Sequence, residues 1–213
     1  MFIKEEAPKM GRNLIQAKIK EKIEKAPKMT LYFLEAFSEF GSYPSVKEAI
    51  SRLVAKGSLT QVSKGLYMKT YFSPLLEENV SPNVYEVAKK IAEKHKWTLT
   101  LEGNTALNSL GLSTQVPAGY YYASSGRSQN LKLKTGIMLH FKHVPPREIV
   151  GLCNKNAQIV EAIKTIGKNK LQASDYSAIR RLLATEAERK LLLKETSGCR
   201  KWVKEEIEKI LEK

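Results

Sequence analysis

The chain has 213 residues, 42% of them apolar and 27% charged, which is enough to bury a core and too apolar for a disordered tail. Its 36 basic against 22 acidic residues leave a net charge of +14 and a pI near 9.6, which directs attention to polyanionic partners. The excess is spread out: residues 1–72 hold 13 basic and 7 acidic groups, residues 73–150 hold 9 and 6, and residues 151–213 hold 14 and 9, so no segment is a purely basic tail. No run of about 18 apolar residues exists, and Met1–Met10 carries Lys4, Glu5, Glu6 and Lys9 where a signal sequence would be apolar. The chain is therefore expected to be soluble and cytoplasmic, with no membrane partner. Cys153 and Cys199 are too few for a disulfide framework and too far from other ligand types for a zinc site, and both are expected to be free, buried thiols.

In chain order, Ile15, Ile19 and Ile23 fall at steps of four within Arg12–Ala26, predicting a helix that Pro27 stops. Thr30 is placed to cap a second helix over Leu31, Leu34 and Phe37, which Gly41-Ser42-Tyr43-Pro44 turns. A third helix follows. Ser45 and Glu48 fit a capping box, and Gly57 fits a left-handed stop. Leu59–Val62 and Leu66–Lys69 then read as a hairpin across a three-residue Ser63-Lys64-Gly65 loop. Three helices and a hairpin make a winged helix-turn-helix over residues 1–72.

Ser73-Pro74 and Ser81-Pro82 flank Glu77-Glu78, so residues 73–82 read as a linker. Residues 83–213 follow as a second domain, opening with a helix over Asn83–His95. Gly103-Asn104-Thr105 to Gly111 reads as a capped short helix. Trp97–Leu101, Gly119–Ala123, Leu131–Lys134 and Ile137–His143 are extended, the last two joined at Thr135-Gly136, and together they predict a small antiparallel sheet. Beyond Pro145-Pro146 the period is helical: Ile159, Val160, Ile163 and Ile166 up to Gly167, then Ile179, Leu182 and Leu183. Thr185 and Glu188 form a second capping box, and a last helix carries Trp202, Val203, Ile207 and Ile210. The fold class is thus α+β.

On a helical wheel the third helix turns Val46, Ile50, Leu53 and Val54 to one side and Lys47, Glu48, Ser51, Arg52 and Ala55 to the other. An ordinary solvated helix has such a face too. Here a short turn precedes it and a basic-tipped hairpin follows it, the order in which a recognition helix and wing occur. Arginine can donate two bonds to guanine O6 and N7, and serine can bond either strand. Ser45, Lys47, Ser51, Arg52, Lys56 and Lys64 are the candidate DNA-binding residues, Lys64 as a wing contact to phosphate or minor groove and Lys56 also as a complement to the helix dipole.

Catalytic and metal chemistry find little support. His140 and His143 lie three apart on a predicted strand and so point to opposite faces. Two-metal phosphoryl transfer needs convergent carboxylates, yet Asp175 is the only aspartate, and the sheet region offers Glu102 with Glu148 beyond it. No phosphate loop, dinucleotide fingerprint or nucleophile elbow is present. Neither a catalytic residue, a cofactor nor a metal is expected. Ser124-Ser125-Gly126-Arg127-Ser128 reads as an inter-strand loop whose lone Arg127 is a candidate for binding phosphate.

Several stretches together resemble one known family, the AbiEi-type antitoxins of bacterial abortive-infection toxin–antitoxin systems. They are Phe40-Gly41-Ser42, Ala49 to Val54 with Lys56-Gly57, Lys64 to Tyr67, Gly103 to Leu107, Leu110-Gly-Leu-Ser-Thr-Gln-Val-Pro117, Ser125-Gly-Arg-Ser128 and Pro145-Pro146, with a similar tail from Ile163 to Val203. The run Leu110–Pro117 followed by Ser125–Ser128 is the most specific part. The resemblance implies a winged helix that binds operator inverted repeats in double-stranded DNA of its own promoter, and a following antitoxin domain. It also implies a nucleotidyltransferase-like toxin, neutralised without a stable complex, with Arg127 a candidate for that function. Two other readings stay open: a plain winged-helix transcriptional regulator with a ligand-sensing or dimerisation domain, and an enzyme acting on nucleic acid.

Overall fold

Helix α1, Lys9–Lys25, buries Ile19 and Ile23 against a core that the following segments complete. In the computed structural model, which describes residues 9–212, the chain is α+β and divides into two units. Among the described residues the first comprises 9–87 with 133–136, and the second comprises 88–132 with 137–212.

In the first unit the segment after α1 differs from the predicted second helix. Leu31–Phe33 is a strand, β1, and only Leu34–Phe40 is helical, as a 3-10 turn. Thr30 does not cap it, because its Oγ1 donates to Pro27 O at 2.7 Å. Long-range pairing overrides the local signal here: β1 runs antiparallel to β3, Leu66–Lys69, and Tyr32 packs its ring 5.1 Å from that of Phe37. Helix α2, Tyr43–Ala55, turns Val46, Ala49, Ile50 and Leu53 into the same core as Phe37 and Leu59. It stops where predicted. Gly57 has φ +74°, Ser58 N donates to Leu53 O at 2.9 Å, and a side chain would strain that left-handed position. Strand β2, Leu59–Ser63, then pairs with β3, giving the sheet order β1-β3-β2. Ser63 itself pairs with Leu66 beside a bulge after Gln61, so the turn is the two residues Lys64-Gly65, one shorter than predicted. The predicted linker holds a further ladder, with β4, Phe72–Ser73, antiparallel to β5, Glu78–Asn79.

Helix α3, Val84–His95, crosses the division between the units, and Asn83 caps it, its Oδ1 accepting from Tyr85 N at 2.9 Å. The second unit's sheet has the order β6-β7-β9-β8, from Leu99–Leu101, Tyr120–Ser124, Met138–His143 and Gln129–Lys132. It is mixed where an antiparallel sheet was predicted, since β7 and β9 run parallel. The chain reverses once after β7 into β8 and again at the hairpin into β9, and two reversals bring β9 alongside β7 in the same direction.

Helix α4, Gly103–Ser109, and helix α5, Asn154–Ile166, pack together, and α5 also packs on β6. Helices α6 (Ala173–Leu182), α7 (Glu186–Glu195) and α8 (Lys201–Glu212) bury Ile179, Leu192, Val203 and Ile207 against Ile159 and Ile163. The Thr185 capping box forms in full: Glu188 N donates to Thr185 Oγ1 at 3.2 Å and Thr185 N to Glu188 Oε2 at 3.0 Å.

Candidate nucleic-acid interface

Helix α2 starts three residues earlier than predicted, with Ser42 and not Ser45 at the N-cap position, because Pro44 is preorganised for the first helical turn. Ser45 therefore lies inside the helix and cannot cap it. Its Oγ instead shares a hydrogen bond with Ser42 Oγ at 3.0 Å, and Ser42, the residue at the N-cap position, makes no side-chain cap bond. Glu48, freed from the predicted capping box, accepts from Arg52 Nη2 at 2.6 Å. Lys47 and Ser51 are exposed on the outer face, Arg52 is half-buried beside Glu48, and Lys56 is exposed at the C-terminal end. At that end the Lys56 N–H donates to Arg52 O at 3.0 Å.

The outer ridge gains a member that the sequence reading placed in a turn. Tyr43 is 64% exposed in the first turn of α2, four residues before Lys47 and eight before Ser51. An aromatic beside a helix-starting proline was the available signal. Lys64 is exposed at the β2–β3 turn, where Gly65 has φ +75°. Lys28 places its ammonium 4.3 Å from the centre of the Tyr71 ring. Lys69 has a structural role, donating to Glu24 O at 2.9 Å and Ala26 O at 2.7 Å at the end of α1. Burial, with Tyr43 adding a smaller effect, pushes the Tyr67 hydroxyl above its ordinary range.

In the second unit, Arg127 is exposed on a turn whose serines are occupied by backbone. Ser124 Oγ accepts from Gly126 N at 3.0 Å, Ser125 Oγ from Thr98 N at 2.9 Å and Ser128 Oγ from His143 N at 2.8 Å. The repeated small residues thus build the turn and leave the guanidinium as its outward group. His143 Nδ1 lies 2.7 Å from Gly126 O, whereas His140 stacks on Tyr121. The two histidines do not converge.

Glu102 pairs with Lys142 at 2.5 Å, and Glu148 lies elsewhere, 1% exposed, between Lys164 at 2.9 Å and Arg200 at 2.6 Å. Burial raises the Glu148 carboxyl, but Lys164 and Arg200 overcome it and hold it below the ordinary range. Glu161, bonded to the same Lys164 at 2.6 Å, is pushed up by its burial. Among the described residues no group of three or more His, Cys, Asp or Glu side chains is arranged to hold a metal ion. Cys199 is buried as predicted, but Cys153, at the N-cap position of α5, is exposed. No helix among the described residues is long and apolar enough to cross a membrane.

A family of unknown function, DUF6088, matches residues 18–191. Among solved structures, the crystal structure of the RV2827C protein from Mycobacterium tuberculosis is similar at 14% identity and a TM-score of 0.42, over 96% of this chain and 82% of that one. No curated protein matches.

Proposed function

The chain belongs to the DUF6088 family, to which no function is assigned, and we propose that it is a DNA-binding antitoxin whose first unit is a winged helix-turn-helix. In this reading α2 enters the major groove of operator inverted repeats and the β2–β3 turn serves as the wing. The observation that carries it is the ridge Tyr43, Lys47, Ser51 and Arg52 on α2, joined through Gly57 directly to a hairpin with Lys64 at its tip. Arg52 and Ser51 suit base edges, while Lys47, Lys56 and Lys64 suit phosphates, which position a protein without reading sequence. Ser45, tied to Ser42, has a structural part at the start of the helix.

The antitoxin part of the proposal rests on the resemblance to AbiEi-type antitoxins, with Arg127 exposed on the Ser-Gly-Arg-Ser turn as its candidate residue. The protein counteracts a nucleotidyltransferase-like toxin and has no catalytic role of its own. The test has two arms. Fluorescence anisotropy on the duplex upstream of the coding sequence should show tighter binding than to a scrambled duplex, and co-expression with the neighbouring toxin should restore growth. Specific binding without rescue would favour a plain transcriptional regulator, and absence of specific binding would remove the winged-helix reading.

A further inference from the structure

The second unit carries a surface that the proposed DNA contacts do not use. Across its sheet, one residue from each of β7, β9 and β8, with Glu102 just past the end of β6, forms a row on one face. Glu102 N donates to Tyr121 O at 3.1 Å, Tyr121 pairs with His140, and His140 pairs with Asn130. With strands about 4.8 Å apart, the row is about 14 Å long. The Tyr121 and His140 rings are stacked at 4.6 Å and 12°, and His140 Nδ1 is bonded to Asn130 Oδ1 at 3.0 Å, so the pair is held rigidly from one side. Helix α5 covers the β6 end of the sheet. At the other end Asn130 and Lys132 are exposed, as is Met138, which pairs with Lys132.

On the other side of Tyr121 lies a cleft of about 420 Å³, lined by Glu102, Asn104, Thr105, Pro117 and Thr165 as well as the tyrosine itself. That volume is within the range of a small-ligand site. The Thr105 Oγ1 atom is buried with no hydrogen-bond partner among the described residues, a cost that a bound polar group would relieve. Glu102 has its charge met by Lys142, whose own side chain is exposed at the sheet surface. The approach of Gly119 is also informative. A Cβ there would lie 2.9 Å from Tyr121 Cε2, so a side chain at this position would displace the ring from its stack.

We propose that this cleft and sheet face bind single-stranded nucleic acid, with one unstacked base against Tyr121 and the backbone along Lys142 and Lys132. A stacking aromatic, an amide and a hydroxyl beside it for base edges, and lysines on the open sheet are the groups such a ligand uses. A duplex cannot use them, since its bases are already stacked inside the helix. The net charge of +14 favours a polyanion over a neutral peptide.

The experiment uses the full chain and a single strand of about twelve nucleotides, within the range such sites cover, carrying 5-iodouracil and tested as both ribo- and deoxyribo-oligomer. Irradiation should crosslink the base to Tyr121 or His140, as mapped by mass spectrometry. Anisotropy should show about tenfold weaker binding for Tyr121→Ala and for Gly119→Ala, with Tyr121→Phe close to the parent. Binding should persist in the Arg52→Ala, Lys64→Ala double variant, which separates this site from the proposed duplex-binding one. Crosslinks that map only to the first unit would overturn the proposal, as would a mononucleotide binding as tightly as the strand. The crosslink on the parent protein decides the matter even if a variant fails to fold.

Discussion

Arg52 donates to Glu48 one turn back along α2, Nη2 to Oε1 at 2.6 Å, with both side chains more than a third exposed. An exposed i,i+4 pair of this kind is worth only about 0.3–0.5 kcal/mol, less than a bidentate arginine–guanine contact at about 1–3 kcal/mol. The tether therefore orients the guanidinium without withholding it.

It follows that Arg52→Ala should cost about 1–3 kcal/mol on the operator and relax specificity at one base position. Lys64→Ala should weaken binding to all duplexes and lower the salt slope by about one unit. Titrations on operator and random duplex at several salt concentrations check both. Equal losses on the two duplexes for Arg52→Ala would sink its role as a base reader.

Gly126 is the point of closest approach in the second unit. A Cβ on it would lie 2.1 Å from Trp97 Cδ2 and Cε2, and Trp97 is held between the His95 and Phe141 rings. Gly126→Ala should cost about 1–3 kcal/mol through overpacking and change the near-ultraviolet dichroism of the indole. An unaltered melting temperature would refute this.

The buried ion cluster should respond asymmetrically to loss of its cation. Lys164→Met leaves Glu148 and Glu161, both nearly inaccessible, without the ammonium between them. Loss of one partner from a buried pair costs about 3–5 kcal/mol. The variant's deficit should shrink from pH 7 to pH 5, as the stranded carboxyls take up protons. Denaturant melts at the two pH values give the comparison, and an equal deficit at both would contradict it.

Two groups give opposite pH dependences. The Lys155 ammonium first, and the Thr185 backbone N–H second, hold Glu188 at about 2 against an ordinary 4.5. Its contribution is complete above pH 4.5 and is lost as pH falls through about 2. Tyr176 donates to Glu206 at 2.6 Å, and that bond holds its hydroxyl at about 12 against 10. Its contribution is complete below pH 10 and is lost as pH rises through about 12. Glu188→Gln should flatten the acid limb of the stability profile and Tyr176→Phe the alkaline limb. Limbs of unchanged slope would contradict the two assignments.

The thiols should differ in rate. Cys153 is exposed, whereas burial pushes the Cys199 thiol up to about 11, and the thiolate is the reactive form. One thiol per folded chain should react rapidly with Ellman's reagent, and the second only on denaturation. Two fast thiols would show that Cys199 is accessible.

Features legible in the sequence share one property: the groups that create them lie within a few residues of each other. The Thr185–Glu188 box, the stops at Gly57 and Gly167, and the buried stripe of α2 are local geometry and periodicity. In two places where the structure differs, a partner distant in sequence intervenes. Leu31–Phe33 became a strand through β3, and the parallel pairing of β7 with β9 followed from where the β8 hairpin docks. Glu48 was drawn out of its predicted box by a proline one residue ahead of Ser45, a local conflict that propensity alone did not resolve.

The ridge of Lys47, Ser51 and Arg52 and the turn lysine could be named from helical spacing alone, since one helix and one hairpin carry them. The row of Glu102, Tyr121, His140 and Asn130 could not. Three of its members come from β7, β9 and β8 and the fourth from the residue after β6, in an order that the chain does not follow. Composition and local pattern thus determined the charge, the helix stops at Gly57 and Gly167 and the buried face of α2. Only tertiary pairing decided which side chains meet across the second sheet, because strand order and register are set by packing between segments that the sequence keeps far apart.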